Sequence, residues 1–263
     1  MATPTPSEPF SFFDVVSTHR RKPLVEISPR PPTLSAMELE ITLPAEVPVM
    51  TLPNVTFFPQ ALMPLHIFEP RYRAMLKDVL ATNRLFSVAG LDEKLRDQSN
   101  QFEPPHRIAS VGIIRACQKN ADGTSNLLLQ GLCRVEFLEI LADEPYRRMR
   151  VRALATEPGA AESEIARLRA ELGRLLALKQ KLGAAVPREI TDFLRDVDDP
   201  ETFVDLAAFN LCDSQFLKQR LLETLDLRQR LDLFARQLRR EIDTLKVHRK
   251  LQGDLPDGRI AEN

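Results

Sequence analysis

Residues with reactive side chains are sparse in this chain, and their spacing matches no common catalytic motif. The histidines, His19, His66, His106 and His248, include no H-E-x-x-H pair, and no carboxylate cluster completes a metal-ligand set. No G-x-S-x-G segment marks a nucleophilic serine. Only His66 lies on a predicted core strand, where a lone histidine is more often a hydrogen-bonded structural residue than a catalytic base. The sequence therefore predicts no catalytic residue and no metal site.

Phosphate-binding loops are also missing from the sequence. The nearest match to a nucleotide-binding loop is Gly253-x4-Gly258, but Arg259 and Ile260 stand where lysine and serine or threonine are required. The chain has nine glycines and no G-x-G-x-x-G segment, so a dinucleotide site is not indicated either. We therefore expect no cofactor, and the sequence favours a binding module over an enzyme.

Composition limits the remaining classes of function. A chain of 263 residues that is 43% hydrophobic and 28% charged is typical of a soluble globular protein. Its formal net charge of −1 favours neither nucleic acid nor an anionic membrane, and no segment is apolar for long enough to span a bilayer. Cys117, Cys133 and Cys212 are far apart and form no C-x-x-C pair, which favours a reducing cytoplasm over a disulfide framework.

Strand-like patterns with one early helix fill residues 47–155. Asp122-Gly123 supplies the positive φ of a tight turn, so the runs on either side are expected to form a hairpin. A helix is expected at Pro70–Ala81, where proline takes the first position and apolar residues recur at spacings of three and four. Strands that do not alternate regularly with helices indicate an antiparallel, partly closed barrel. The strands are expected at Val47–Leu52, Leu62–Phe68, Leu85–Leu91, Ile108–Gln118, Asn126–Ile140 and Tyr146–Ala153.

Residues 159–251 have helical periodicity instead. Successive apolar stripes begin at Ile165, Ile190, Phe203, Phe216 and Leu227. The last stripe is the longest and continues to residue 245 along a helix with charges on its other faces. Because such stripes need one another for burial, they predict a helical bundle that ends in a long helix. The fold class is therefore predicted to be α+β.

The predicted organisation has four parts. Residues 1–36 are expected to be a disordered leader because their many prolines disfavour helix and sheet, and translation from Met37 is an alternative. Residues 37–156 form the barrel and residues 157–252 the bundle. Residues 253–263 are polar and carry glycine and proline, so a flexible tail is expected.

The most specific stretch is Met63–Arg73, with the sequence MPLHIFEPRYR, in which a strand ends in a proline-initiated helix. With its surroundings, Val47–Leu76, it resembles the opening of the Lon protease N-terminal (substrate-binding) domain, as free-standing members of that family carry it. Further segments resemble the family in the same order: Ile108–Arg115, Leu128–Val135 with Gly131 and Arg134 at the matching places, Asp205–Leu211, Lys218–Leu227, Arg228–Leu231 and Glu241–Lys246. The resemblance implies a PUA-like antiparallel β-barrel followed by a helical bundle with a long C-terminal helix.

The resemblance also implies the recognition half of Lon, which is the binding of unfolded or exposed polypeptide. Full Lon continues into an ATPase with a Walker motif and a protease domain with a Ser–Lys dyad. This sequence ends at Asn263, before either domain would begin, so ATP-driven proteolysis is not expected. The expected partners are client polypeptides, together with a protease or chaperone.

The loop Phe57-Phe58-Pro59 is the first candidate binding surface. Folding does not obviously bury all three residues, and neighbouring apolar residues that stay exposed mark interaction surfaces. A groove between this loop, the strand Leu62–Phe68 and the first helix is expected to take an extended apolar segment, with aromatic anchors and Arg71 contacting it. The alternative is that Phe57 and Phe58 plug one end of the barrel. The predicted polypeptide-binding residues are Phe57, Phe58, Pro59, His66, Phe68, Arg71 and Tyr72.

Two other functions remain open from the sequence. Arg148, Arg150 and Arg152 share one face of a strand and form a candidate basic patch for RNA, although Glu136 and Glu139 are expected to balance that face. RNA binding by PUA-like barrels is an analogy of fold only. The stripe of the last helix is suited to docking a partner helix, or it is fully used inside the bundle.

Overall fold

The structure is a computed structural model that describes residues 43–98, 102–183 and 187–252. The predicted leader, residues 1–36, and the predicted tail, residues 253–263, lie outside the described residues. The strands are β1 Glu46–Leu52, β2 Leu62–Ile67, β3 Leu85–Gly90, β4 Ile108–Lys119, β5 Ser125–Ala142 and β6 Arg148–Leu154. The helices are α1 Pro70–Ala81, α2 Glu93–Gln98, α3 Glu162–Lys181, α4 Arg188–Arg195, α5 Pro200–Leu211, α6 Gln215–Glu223 and α7 Leu227–Gln252.

The six strands form one sheet in the order β2-β5-β4-β3-β1-β6, and β6 also pairs with β5. This second pairing closes a barrel, and the 18-residue length of β5 makes it possible. Residues 125–130 of β5 pair with β2, whereas residues 134–142 pair with β6. The predicted α+β class and barrel are confirmed. One pairing differs from the expected antiparallel pattern, since β1 and β3 are parallel. Parallel neighbours require a crossover connection, which β2 and α1 provide.

Helix α1 has the predicted bounds, with Pro70 in its first turn and Tyr72, Met75, Leu76 and Val79 buried. Helix α2 lies in the segment predicted to be a loop, Asp92–Pro105. Its residues 93–97 are all exposed, so the segment carries no apolar stripe from which a helix can be predicted.

Two groups of buried residues stabilise the fold. One fills the barrel and consists of inward-facing residues such as Val49 on β1 and Val135 on β5. The other lies between the outer face of the sheet, α1 and the bundle, and contains Leu172 on α3, Leu206 on α5 and Phe234 on α7. The stripe of α7 from Leu227 to Ile242 is buried, so its apolar face is used inside the bundle. Within the part of the chain that the structure describes, none of the helices combines the length and the hydropathy of a membrane-spanning segment.

Candidate functional site

The Phe57–Pro59 loop is buried, which corrects the expectation that it exposes its rings. Phe57 and Phe58 are 1% and 0% exposed. The Ser110 hydroxyl donates to the carbonyl oxygen of Phe57 over 2.7 Å. A Cβ at Gly131 would lie 2.1 Å from the carbonyl oxygen of Phe58, so the strand approaches this loop too closely for any side chain. The loop therefore packs in the core beneath the surface and exposes no aromatic ring.

Both phenylalanines pack in the core that the sheet shares with α1 and the bundle. The cluster that fills the barrel is a separate one. The alternative expectation, that these rings plug one end of the barrel, is therefore also corrected. The sequence did not predict this position of the two rings, because it does not show which part of the outer surface of the sheet the helices cover.

His66 and Phe68 are brought together on the exposed side of β2. Phe68 is 60% exposed, and its ring stacks on that of His66 with centroids 6.0 Å apart. Nδ1 of His66 lies 2.7 Å from Oδ1 of Asn126, which agrees with the structural role expected for this histidine. Among the described strands β2 pairs only with β5, so these two rings lie at the edge of the sheet.

Arg71 and Tyr72 lie in the first turn of α1, directly after Phe68. Arg71 donates to both carboxylate oxygens of Glu103, over 2.7 and 3.1 Å, and to Glu69 over 2.9 Å. The hydrogen bonds to Glu103 raise the pKa of Arg71, so its charge is fixed. Tyr72 is buried and donates from its hydroxyl to the carbonyl oxygen of Thr51 over 3.2 Å, and burial raises the pKa of this phenol.

Phe102 belongs to the same surface and was not predicted. The Arg71 guanidinium lies 4.5 Å from the ring centroid of Tyr72 and 5.4 Å from that of Phe102. Phe102 is 70% exposed. It is a single aromatic residue in a polar segment, so no periodicity in the sequence distinguishes it.

Arg147 holds the backbone of Phe102 in place. Its Nη2 donates to the carbonyl oxygen of Phe102 over 2.7 Å, and its Nη1 donates to that of Glu103 over 2.6 Å. Its Nε donates to Asp143 over 2.6 Å. Together with Arg71, these groups surround a cleft of about 410 Å³ beside β1. The candidate site consists of this cleft, the exposed ring of Phe102 that lines it, and the exposed ring of Phe68, three residues before Arg71.

A second cleft, of about 320 Å³, lies between β5 and α5. Arg134 and Asp205 line it and form an ion pair with each other over 2.6 Å. Arg230 on α7 bonds to the same carboxylate over 3.1 Å. These charges hold the barrel against the bundle, so we assign this cleft a structural role.

The arginines of β6 are all paired with carboxylates. Arg148 contacts Glu46 over 3.2 Å, Arg150 contacts Glu139 over 3.1 Å, and Arg152 contacts Glu136. The predicted balance of this face by Glu136 and Glu139 is confirmed. Arg107 also contacts Glu136, so four arginines meet three carboxylates and the formal excess on this face is a single positive charge, whereas phosphate binding relies on several. Within the described ranges, no group of three or more histidine, cysteine or carboxylate residues is arranged to hold a metal ion.

Comparison with known proteins places this chain in a family. Residues 46–240 match the model of the ATP-dependent protease La (LON) substrate-binding domain. The chain is 26% identical over 231 residues to the Lon protease of Desulfosudis oleivorans, which covers 87% of this chain and 28% of that protein. It is 29% identical over 206 residues to the Lon protease of Heliobacterium modesticaldum, which covers 78% of this chain and 25% of that protein. The chain thus spans about a quarter of the length of these relatives.

Solved structures show the same fold. The N-terminal domain of Mycobacterium avium complex Lon protease is similar with a TM-score of 0.56 at 22% identity, covering 78% of this chain and 100% of that one. The Lon N-terminal domain protein from Xanthomonas campestris is similar with a TM-score of 0.50 at 19% identity, covering 71% of this chain and 95% of that one. At these identities the likeness establishes the fold.

Proposed function

Because the chain belongs to the Lon substrate-binding domain family, we propose that it is a non-catalytic module that binds unfolded or exposed polypeptide segments. One observation carries the proposal: the Phe102 ring is 70% exposed and lies beside the Arg71 guanidinium, while the Phe68 ring, 60% exposed, belongs to the residue three positions before that arginine. Phe68 precedes α1 by two residues, and Phe102 stacks on the arginine in the first turn of that helix.

Exposed aromatic rings suit a client that has lost its own core. Unfolded segments expose apolar side chains, and burying one large apolar side chain contributes about 1.5–3 kcal/mol. Aromatic residues are also the usual anchors of protein interfaces. Arg71 contacts the ring of Phe102, and the hydrogen bond from Arg147 holds its backbone, so less conformational entropy is lost when a client binds.

The partners follow from this role. Client polypeptides bind through the exposed rings, and a protease or chaperone of the cytoplasm receives them. The Lon relatives are proteases by name, and the family model that this chain matches is that of the substrate-binding domain. Recognition of clients for such a protease is therefore the arrangement we propose.

Fluorescence anisotropy of a labelled, permanently unfolded polypeptide, titrated with the protein, tests this function. We expect saturable binding by the wild type and loss of binding in a Phe68→Ser/Phe102→Ser double variant. The matched control is Phe193→Ser/Phe216→Ser, which removes two rings of similar exposure, 57% and 70%, from the bundle. Circular dichroism checks that both variants are folded. No binding by the wild type, or equal loss in both double variants, would overturn the proposal.

A further inference from the structure

The cleft beside Phe102 opens where β1 extends past β6. The pairing of β1 with β6 ends at Pro48, and the last contact is the hydrogen bond from the Val49 amide to the Arg147 carbonyl oxygen. At this point the cleft is lined by Thr51 and by Val49, whose side chain is buried in the barrel cluster. Tyr72 and Phe102 supply its aromatic residues. A volume of about 410 Å³ has room for one large side chain of a bound segment.

The guanidinium groups around the cleft are already bonded. In Arg71, Nε donates to Glu69, and Nη1 and Nη2 donate to Glu103. In Arg147, Nε donates to Asp143, while Nη1 and Nη2 donate to backbone carbonyl oxygens. Each nitrogen of both groups thus has an acceptor within the protein, which engages three of the five N–H donors of each guanidinium.

Carboxylates outnumber the guanidinium groups at this site. The site has four carboxylates and two guanidinium groups, so its formal charge is −2. They belong to Glu69, Glu103, Asp143 and Glu144, and to Arg71 and Arg147. The Asp143 side chain is 57% exposed, and Glu144 is exposed on the same loop. The whole chain carries −1, so this rim is more acidic than the protein as a whole. An acidic rim around an aromatic cleft suits a ligand that is apolar and cationic.

We propose that this cleft selects client segments in which an aromatic residue is followed by arginine or lysine. The aromatic side chain enters the cleft beside Phe102 and the Arg71 guanidinium, and the neighbouring cation contacts Glu144 and Asp143. This inference rests on the proposed function and names the class of polypeptide that the site prefers.

Three labelled, unstructured peptides of equal length test the preference: one with Phe-Arg pairs, one with Phe-Glu pairs and one with Ser-Arg pairs. We expect the Phe-Arg peptide to bind about two- to fivefold more tightly than Phe-Glu, because each exposed ion pair contributes about 0.2–1 kcal/mol. Ser-Arg should bind most weakly because it lacks the aromatic side chain. High salt should reduce the difference between Phe-Arg and Phe-Glu.

Charge reversal identifies the responsible carboxylate. Glu144→Lys should abolish the preference for Phe-Arg, whereas the control Glu189→Lys, an exposed carboxylate on α4, should preserve it. Equal affinities of the wild type for Phe-Arg and Phe-Glu, or an unchanged preference in Glu144→Lys, would overturn the inference. The proposed function would survive that result if the Phe68→Ser/Phe102→Ser variant still loses binding. Failure of the wild type to bind any of the peptides or the unfolded polypeptide would overturn both.

Discussion

Nη2 of Arg134, on β5, donates to Oδ1 of Asp205, on α5, over 2.6 Å, and both side chains are almost completely buried. Arg230 on α7 donates to the same oxygen over 3.1 Å. Nε of Arg134 donates to the carbonyl oxygen of Leu222 on α6 over 3.0 Å. One strand of the barrel is thereby bonded to helices of the bundle, and each buried charge depends on the others for its stability.

Replacing Asp205 by alanine should destabilise the protein strongly. Two guanidinium groups would lose their buried partner, and breaking such a pair costs about 3–5 kcal/mol. Denaturant unfolding measures the change in the free energy of unfolding. The control Asp192→Ala removes an exposed ion pair with Arg195 and should cost at most about 1 kcal/mol. Similar small losses in both variants would show that the buried pair contributes little.

Arg134 shows where sequence patterns stop being informative. In the sequence of β5, Val135 and Phe137 alternate with Arg134 and Glu136, which is the period of a half-buried strand, and both apolar side chains are buried. The same alternation placed Arg134 on the polar face, yet its side chain is only 2% exposed. The period of a strand separates two faces, but it does not show that a distant bundle covers the second one.

In the candidate site too, some residues could be predicted from the sequence and others could not. His66, Phe68, Arg71 and Tyr72 were predicted because they belong to one specific motif, and the structure brings His66 against Phe68 and Arg71 against Tyr72. Phe102 reaches the site only through tertiary contacts with Arg71 and Arg147, which a local pattern cannot predict.

Gly131→Ala should lower stability, because the added Cβ would meet the Phe58 carbonyl oxygen at 2.1 Å and backbone would have to move. Overpacking of this kind costs about 1–3 kcal/mol. Gly173→Ala, in the middle of α3, is the matched control. Its Cβ would lie 3.9 Å from the nearest atom, a ring carbon of Phe203, so it should stabilise the helix by about 0.5–1 kcal/mol. Thermal unfolding of the two variants should therefore shift in opposite directions, and a shift in the same direction would contradict the close approach at Gly131.

Phe58→Ala should reduce stability without removing a residue that contacts the client. Phe58 is fully buried, and truncating a buried phenylalanine costs about 3–5 kcal/mol. Phe216→Ala removes an exposed ring and should change the free energy of unfolding by about 0.5 kcal/mol or less. Urea unfolding compares the two variants. Equal, small effects would show that Phe58 is a surface residue and not part of the core.

The carboxyl group of Glu136 should titrate below the ordinary range of glutamate. The hydrogen bond from Arg152 lowers its pKa, burial opposes the shift, and Arg107 adds to the lowering. Since the pKa is lowered, the stabilising contribution is present above the ordinary glutamate pKa and is lost as pH falls through the lowered one. Arg152→Gln should raise this pKa, as measured by carboxyl-carbon NMR. Arg150→Gln, whose partner is Glu139, should leave it unchanged, and equal shifts in both variants would contradict the assigned pairing.

Arg147→Gln should weaken client binding although Arg147 need not contact the client. Its Nη atoms donate to the carbonyl oxygens of Phe102 and Glu103, and glutamine has neither the length nor the three nitrogens to replace these bonds. The Phe102 ring should then lose its fixed position, and the affinity for unfolded polypeptide should fall toward that of a Phe102→Ser variant. Amide hydrogen exchange around residue 102 should quicken, while the global unfolding midpoint moves far less than in Phe58→Ala. An Arg147→Gln variant that binds as the wild type does would show that the hydrogen bonds of Arg147 do not position the site.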